Sequence, residues 1–187
     1  MKSVLKLIVA IVFCGFFNSM MAQDGLFITK TGTIEFLSDA PAEKINAKSQ
    51  TASSILNTKT GDLVFQLNNK SFQFKNNFMQ EHFNEKYMES DKFPKSTFKG
   101  KITNLNTVNF SKDGKYKVNV EGELTMHGVT NKVTTTAVLE IKGGKQILAT
   151  SSITVKCADY KIIIPALVKE KVAENVEIKM TLDYDPK

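Results

Sequence analysis

His82 and His127 are the only histidines in the chain. With Glu81 or Glu85 they would make a metal or acid–base site. A metal site needs three or four ligands at characteristic spacing, and neither histidine has a second ligand at such a distance in sequence. Both stand near the end of an element or in a turn. Each ring is therefore expected to hydrogen-bond backbone at a rim. Glu81 and Glu85 lie one helical turn apart, and Glu121 and Glu123 share one face of a strand. Paired carboxylates can do acid–base chemistry, but the second pair lies among lysines on a wet face. There is no G-x-S-x-G elbow, no P-loop and no G-x-G-x-x-G. The residues thus point to no catalytic group, no metal and no cofactor.

What must position these residues follows from composition. The chain has 187 residues, 42% hydrophobic and 24% charged, the balance of one globular domain. Its net charge is +6, and every basic residue is Lys. Without Arg, the bidentate contacts that dominate base and phosphate recognition are missing, which argues against a nucleic-acid partner.

The first residues read MKSVLKLIVAIVFCGFFNSMMAQD. Lys2 and Lys6 precede an unbroken apolar or glycine run from Leu7 to Phe17, and Ala22 precedes polar Gln23. This is the pattern of a secretory signal peptide over residues 1–22. The run is shorter than the about 20 residues that span a bilayer, so no integral membrane span is expected. Residues 23–187 form the working domain, in the periplasm or outside the cell. Losing Lys2 and Lys6 takes the charge from +6 to +4. Cys14 leaves with the leader, so Cys157 has no intramolecular disulfide partner.

The domain reads as strands. From Tyr116 to Met126 the even positions are apolar or Gly and the odd ones are polar, the period of a half-buried strand. The same alternation marks Val133–Ile141, Ile147–Cys157 and Val176–Tyr184. Cys157 falls on the apolar face and reads as a small buried hydrophobe. Turn signals at Thr60-Gly61-Asp62, Asp113-Gly114, His127-Gly128 and Gly143-Gly144 separate the runs. Eight strands result: 26–38, 44–57, 62–74, 96–109, 114–126, 129–142, 146–158 and 175–184. The protein is expected to be all-β. Long strands joined mostly by short loops suit an eight-stranded antiparallel up-and-down barrel. A two-sheet sandwich is the alternative, though its strands are usually shorter.

Two segments break the alternation. Phe78, His82, Phe83 and Tyr87 recur at helical spacing within 77–89, a short helix between strands three and four. Asn77 is the expected cap, with Gln80 completing a capping box. Residues 165–174 are expected to make a helical turn over one mouth. Ten phenylalanines lie beyond the leader, while Gly122, Ala137, Ala149 and Ser151 point inward on later strands. Large residues on one wall and small ones opposite fit either interlocked packing or a tunnel. A barrel of eight strands can be just filled by its own side chains.

Three phrases carry a resemblance: His82-Phe83 in the helix, Phe93-Pro94 followed by Phe98, and GELTMHGVT from Gly122 to Thr130. Together with the alternating last strand they resemble the YceI-like family of exported, lipocalin-fold proteins, over essentially the whole mature chain. The resemblance implies a lipocalin-like barrel that binds rather than catalyses. It implies a hydrophobic or amphiphilic partner, a polyisoprenoid or other long-chain lipid held inside. The lining would then include Phe65, Phe74, Phe98 and Ile102 on strands three and four. The helix would add Phe78, Met79, His82 and Phe83 at the mouth. Later strands would add Val120, Leu124, Val133, Ile153 and Met180. A filled barrel acting as an envelope module is the alternative function. Nothing in the pattern sets the oligomeric state, and a homodimer is open.

Overall fold

The structure is a computed structural model, and it describes residues 25–187. The leader expected over 1–22, with Cys14, lies outside the described residues. Strands form where the alternating runs are. They are β1 (Leu26–Asp39), β2 (Lys44–Asn57), β3 (Asp62–Asn68), β4 (Gln73–Phe74), β5 (Lys95–Ile102), β6 (Gly114–Met126), β7 (Val129–Lys142), β8 (Gln146–Lys156) and β9 (Asn175–Pro186). The sheet runs β1-β9-β8-β7-β6-β5-β3-β2 and closes when β1 pairs β2. All pairings are antiparallel. This is the expected closed, eight-stranded barrel. β4 is only a patch on β2, through Ala47–Phe74 and Lys48–Gln73.

Three strands are shorter than the alternation predicts, β8 by only two residues, because Cys157 already begins a 3-10 turn. β3 stops at Asn68 rather than 74, because Asn69 is fully buried and needs polar partners. Its Nδ2 donates to the Phe93 carbonyl at 2.7 Å, and its Oδ1 accepts from Ser96 Oγ at 2.7 Å. β5 covers 95–102 rather than 96–109. Past Ile102, Asn104 Oδ1 accepts from the Asn119 amide at 2.7 Å and turns the chain across the barrel end. Leu105, Val108 and Phe110 then pack on the core from below. Asp113-Gly114 therefore ends a crossing loop and is not a tight hairpin. By contrast, His127-Gly128 (φ +51° and +73°) and Gly143-Gly144 (+58° and +60°) have both central residues left-handed, as type I′ hairpin turns require.

Strand directions sort the connections into two ends. The upper end carries the β1–β2 turn, the 69–94 segment, the His127-Gly128 turn and the 157–174 segment. The lower end carries 58–61, the crossing loop 103–113 and 143–145. The predicted helix is α1 (Asn77–His82), continued by one π turn over Phe83–Tyr87. Its cap is Asn76, one residue earlier than expected. Asn76 is extended, and its Oδ1 accepts from the Met79 amide at 2.9 Å, whereas Asn77 is already helical. Gln80 completes no capping box; its Oε1 accepts from the Phe74 amide at 3.4 Å. The 165–174 segment makes a single 3-10 turn, Ala166–Val168. The Ala42 amide donates to the Glu170 carbonyl at 2.7 Å and ties that segment to the β1–β2 turn.

Candidate functional site

The inward side chains enclose one large cavity of about 640 Å³. Register stacks its wall in rows. Phe65, Phe98 and Leu124 stand side by side on β3, β5 and β6. Below them come Leu63, Gly100, Gly122 and Val133, and below those Ile102, Val120 and Thr135. Ala137, Ala149 and Ser151 line β7 and β8 with little bulk. On β6 the lining runs from Val118 to Met126, which at a strand tilt near 40° is roughly 20 Å of depth. The barrel is hollow rather than filled by its own side chains.

Filling differs along the axis. In the lower half Val118, Ile147 and Tyr184 are at most 1% exposed. In the upper half Leu124, Val133, Ile153 and Met180 point inward yet are only half-buried. Under the helix an aromatic group closes part of the wall. Phe83 stacks on Phe36 at 5.4 Å and meets Phe72 edge-on at 5.5 Å, with Phe74 at 5.0 Å. The π turn begins at Phe83 and carries this ring to the core side.

All thirteen residues expected at the lining lie on this wall or its rim. Phe65, Phe74, Phe98, Ile102, Val120 and Leu124 come from the β2–β6 side. Val133, Ile153 and Met180 come from β7, β8 and β9. Phe78, Met79, His82 and Phe83 come from the helical segment. Sequence reasoning missed Phe36 and Phe72, and Val168 and Val172 of the 165–174 segment. Phe36 was legible, since Ile34, Phe36 and Ser38 alternate inward. Phe72 follows a 3-10 turn and shows no period.

The mouth is where lining residues become exposed: Asn76, Phe78 and Lys171, with Glu43 and His82 half-buried. Phe78 is 66% exposed, and its ring lies 4.1 Å from that of His82. Among the described residues, Glu43 and Lys171 are the only Asp, Glu or Lys on the wall, and both sit at the rim. Burial keeps two titratable groups of the wall neutral, Cys157 near the upper end and Tyr184 near the floor. The Cys157 thiol is pushed up, chiefly by desolvation. The Tyr184 hydroxyl is pushed up to about 12 by burial. Tyr184 donates to Ser54 Oγ at 2.6 Å, because the Ser54 hydroxyl itself donates to the Val64 carbonyl at 2.7 Å. Such an interior can dissolve an apolar chain.

His127 holds the upper end together. Its Nδ1 donates to the Tyr160 carbonyl at 2.9 Å, and its Nε2 meets Glu89 Oε2 at 2.7 Å. The Phe93 ring packs edge-on at 4.7 Å. Glu89, His127 and Lys161 are the only left-handed non-glycine residues described, and all lie at or beside this junction. The ring thus ties the 83–94 and 157–164 segments to the β6–β7 turn, the structural role expected of it. His82 packs at the mouth instead. Among the described residues no three His, Cys, Asp or Glu side chains gather as metal ligands. Nor is any described helix long and apolar enough to cross a membrane. Glu121 and Glu123 face outward beside Lys101 and Lys99.

The seam between β7 and β8 is weak in its upper part. The β7–β8 ladder ends at Ala137–Ser151, whereas β6–β7 runs on to Met126–Val129 and β8–β9 to Lys156–Asn175. Above that point side chains bridge the strands. Thr135 Oγ1 donates to the Ser152 carbonyl, and Asn131 Nδ2 to the Asp159 carbonyl, both at 2.8 Å.

A closed antiparallel barrel around an apolar cavity with a polar rim defines a lipocalin-like barrel. The chain belongs to the YceI-like family, whose domain model matches residues 13–184. Solved structures share the fold at low identity. One is a polyisoprenoid binding domain from Saccharophagus degradans implicated in plant cell wall breakdown. It is 15% identical, with a TM-score of 0.76, covering 87% of this chain and 99% of that one. Burkholderia cenocepacia BcnA is 17% identical, with a TM-score of 0.66, over 81% and 95% of the two chains. A Campylobacter jejuni YceI protein is 17% identical, with a TM-score of 0.57, over 74% and 83%. A comparison with curated proteins finds no match.

Proposed function

We propose that this protein is an exported lipid carrier that holds a polyisoprenoid or another long-chain amphiphile inside its barrel. The observation that carries this reading is the apolar cavity of about 640 Å³, whose described charged residues lie only at its rim. That volume lies within the ~300–1,000 Å³ typical of ligand sites. It corresponds to on the order of twenty liquid waters, hence to a chain of comparable carbon number. Each methylene moved from water to the interior is worth about 0.8 kcal/mol. Part of that gain is offset by immobilising the chain and the protein relative to one another. A polar head group would rest at the rim beside His82 and Lys171.

The family and the Saccharophagus domain support a binding role rather than an enzymatic one. The leader pattern in residues 1–22 supports export, to the periplasm or beyond the cell. A homodimer is compatible with this role, and light scattering reads it out. Purification of the exported protein, solvent extraction and mass spectrometry test the proposal. A stoichiometric long-chain lipid is expected. Absence of any bound lipid, with no uptake of added isoprenoid, would refute it.

A further inference from the structure

The cavity wall is uneven at one place. Gly100 on β5 and Gly122 on β6 stand directly opposite each other in register. Leu63 and Val133 flank them in the same row. Two adjacent missing side chains leave a pit in the wall. Phe98, one inward position above Gly100, folds its ring into that pit. A Cβ at Gly100 would lie 2.4 Å from Phe98 Cζ, and one at Gly122 would lie 2.6 Å from it. Neither glycine is left-handed, so space and not backbone conformation calls for glycine here. The backbones are also close: a Cβ at Gly122 would come within 2.4 Å of the Lys99 carbonyl oxygen.

The pit lies midway down the barrel. Above it are Leu124, Phe83 and the mouth; below it are Ile102, Val118, Val120 and Tyr184. From Leu124 to Val118 the wall descends roughly 15 Å along the axis. Two or more inward positions further down, β7 and β8 carry the small residues Ala137, Ser151 and Ala149. In the pit's own row the bulk on this side of the wall is the Phe98 ring. Lying in the pit, it leaves the lumen continuous from rim to floor. Displaced from it, the ring would stand in the lumen and divide the cavity.

We propose that Phe98, folded into the Gly100–Gly122 pit, sets the depth to which a chain can enter the barrel. This rests on the carrier reading, and it makes Phe98 a length-determining residue rather than a generic part of the wall. A ring larger than phenyl does not fit the pit and must protrude. A smaller side chain empties the pit without obstructing the lumen.

The test is a homologous series of straight-chain alcohols, octanol to octadecanol, titrated into delipidated protein. For wild type, affinity should rise about fourfold with each methylene until the chain meets the floor. In Phe98→Trp the rise should stop several methylenes earlier. In Phe98→Ala it should stop no earlier than in wild type. An unchanged stopping point in Phe98→Trp overturns the proposal. So does an early stop shared by both variants, which would report a loosened barrel. A crystal structure of Phe98→Trp decides the matter without any ligand. A cavity divided at the Gly100 row supports the proposal, and an undivided one overturns it. If wild type binds neither an alcohol of the series nor added isoprenoid, the carrier reading falls, while that crystal structure still judges the role of Phe98.

Discussion

The two halves of this barrel are built by the same strands and the same alternation, yet the lower half buries its inward side chains almost completely while the upper half leaves several only half-buried around the cavity. On β8, Ile147 in the lower half is 1% exposed, while Ile153, on the same face of the same strand, is half-buried against open cavity. The crossing loop supplies a plug below, through Leu105, Val108 and Phe110. Above, α1 and the 165–174 segment border the opening without filling it. The floor is thus close-packed across the barrel, whereas at the top a buried cluster of Met88, Met126, Val155, Cys157, Tyr160 and Ile162 packs to one side of the opening.

Substituting the paired isoleucines tests that division most strongly. Ile147→Ala opens a new cavity in close packing and should cost about 2–5 kcal/mol by urea unfolding. Ile153→Ala only enlarges space that exists, and should cost about 1 kcal/mol or less. Equal costs would break the contrast. Next comes the tie at the upper end. His127→Ala leaves the Tyr160 carbonyl without its donor and should cost about 1–3 kcal/mol. Hydrogen exchange should rise first in 83–94 and 157–164, with the lower half still protected. Uniform loss of protection would show that the two ends do not open separately.

A smaller effect is expected at the floor from Tyr184→Phe, about 1 kcal/mol at neutral pH. Its pH dependence is distinctive. The folded hydroxyl is pushed up to about 12, above the phenol value near 10 of an unfolded chain. The stabilisation is therefore fully present below pH 10 and is lost as pH rises through about 12. Wild type should lose more stability than the Phe variant across that window. Parallel curves would rule out this coupling. The smallest change in stability is expected at the mouth. Phe78→Ser should shift unfolding by no more than ~0.5 kcal/mol, because the ring is 66% exposed. It should nonetheless weaken lipid uptake.

The strands and the turns at His127-Gly128 and Gly143-Gly144 were legible because alternation and left-handed turn residues act locally, whereas Asp113-Gly114 carries the same signal and ends a crossing loop. Strand ends were less so. Asn69 ends β3 through partners at Phe93 and Ser96, more than twenty residues away, and no local pattern encodes them. The missed cap at Asn76 reflects two adjacent asparagines, each able to cap, of which backbone conformation selects the first. Alternation gives the inward direction of the nine strand residues expected at the wall, while the four in the helical segment rest on the family resemblance; neither tells a filled barrel from an empty one. That depends on whether bulk from facing walls interlocks. Here Ala137 and Ala149 withhold bulk from the lumen, and Gly100 and Gly122 make room in the wall for the Phe98 ring.

The closure of the sheet bears on how the molecule comes to exist. β1 pairs with β2, its neighbour in sequence, and also with β9, the last strand described. Until β9 emerges, β1 and β8 each keep an unpaired edge, and the cavity has no complete wall. Synthesis from the N-terminus therefore holds an incomplete sheet open to the end, with edges that invite wrong pairing. The closing contacts are also among the most distant in sequence, which makes barrel formation slow relative to the hairpins that precede it. A chain cut short before Asn175 would lack the strand that seals the wall, and with it any enclosed space to fill.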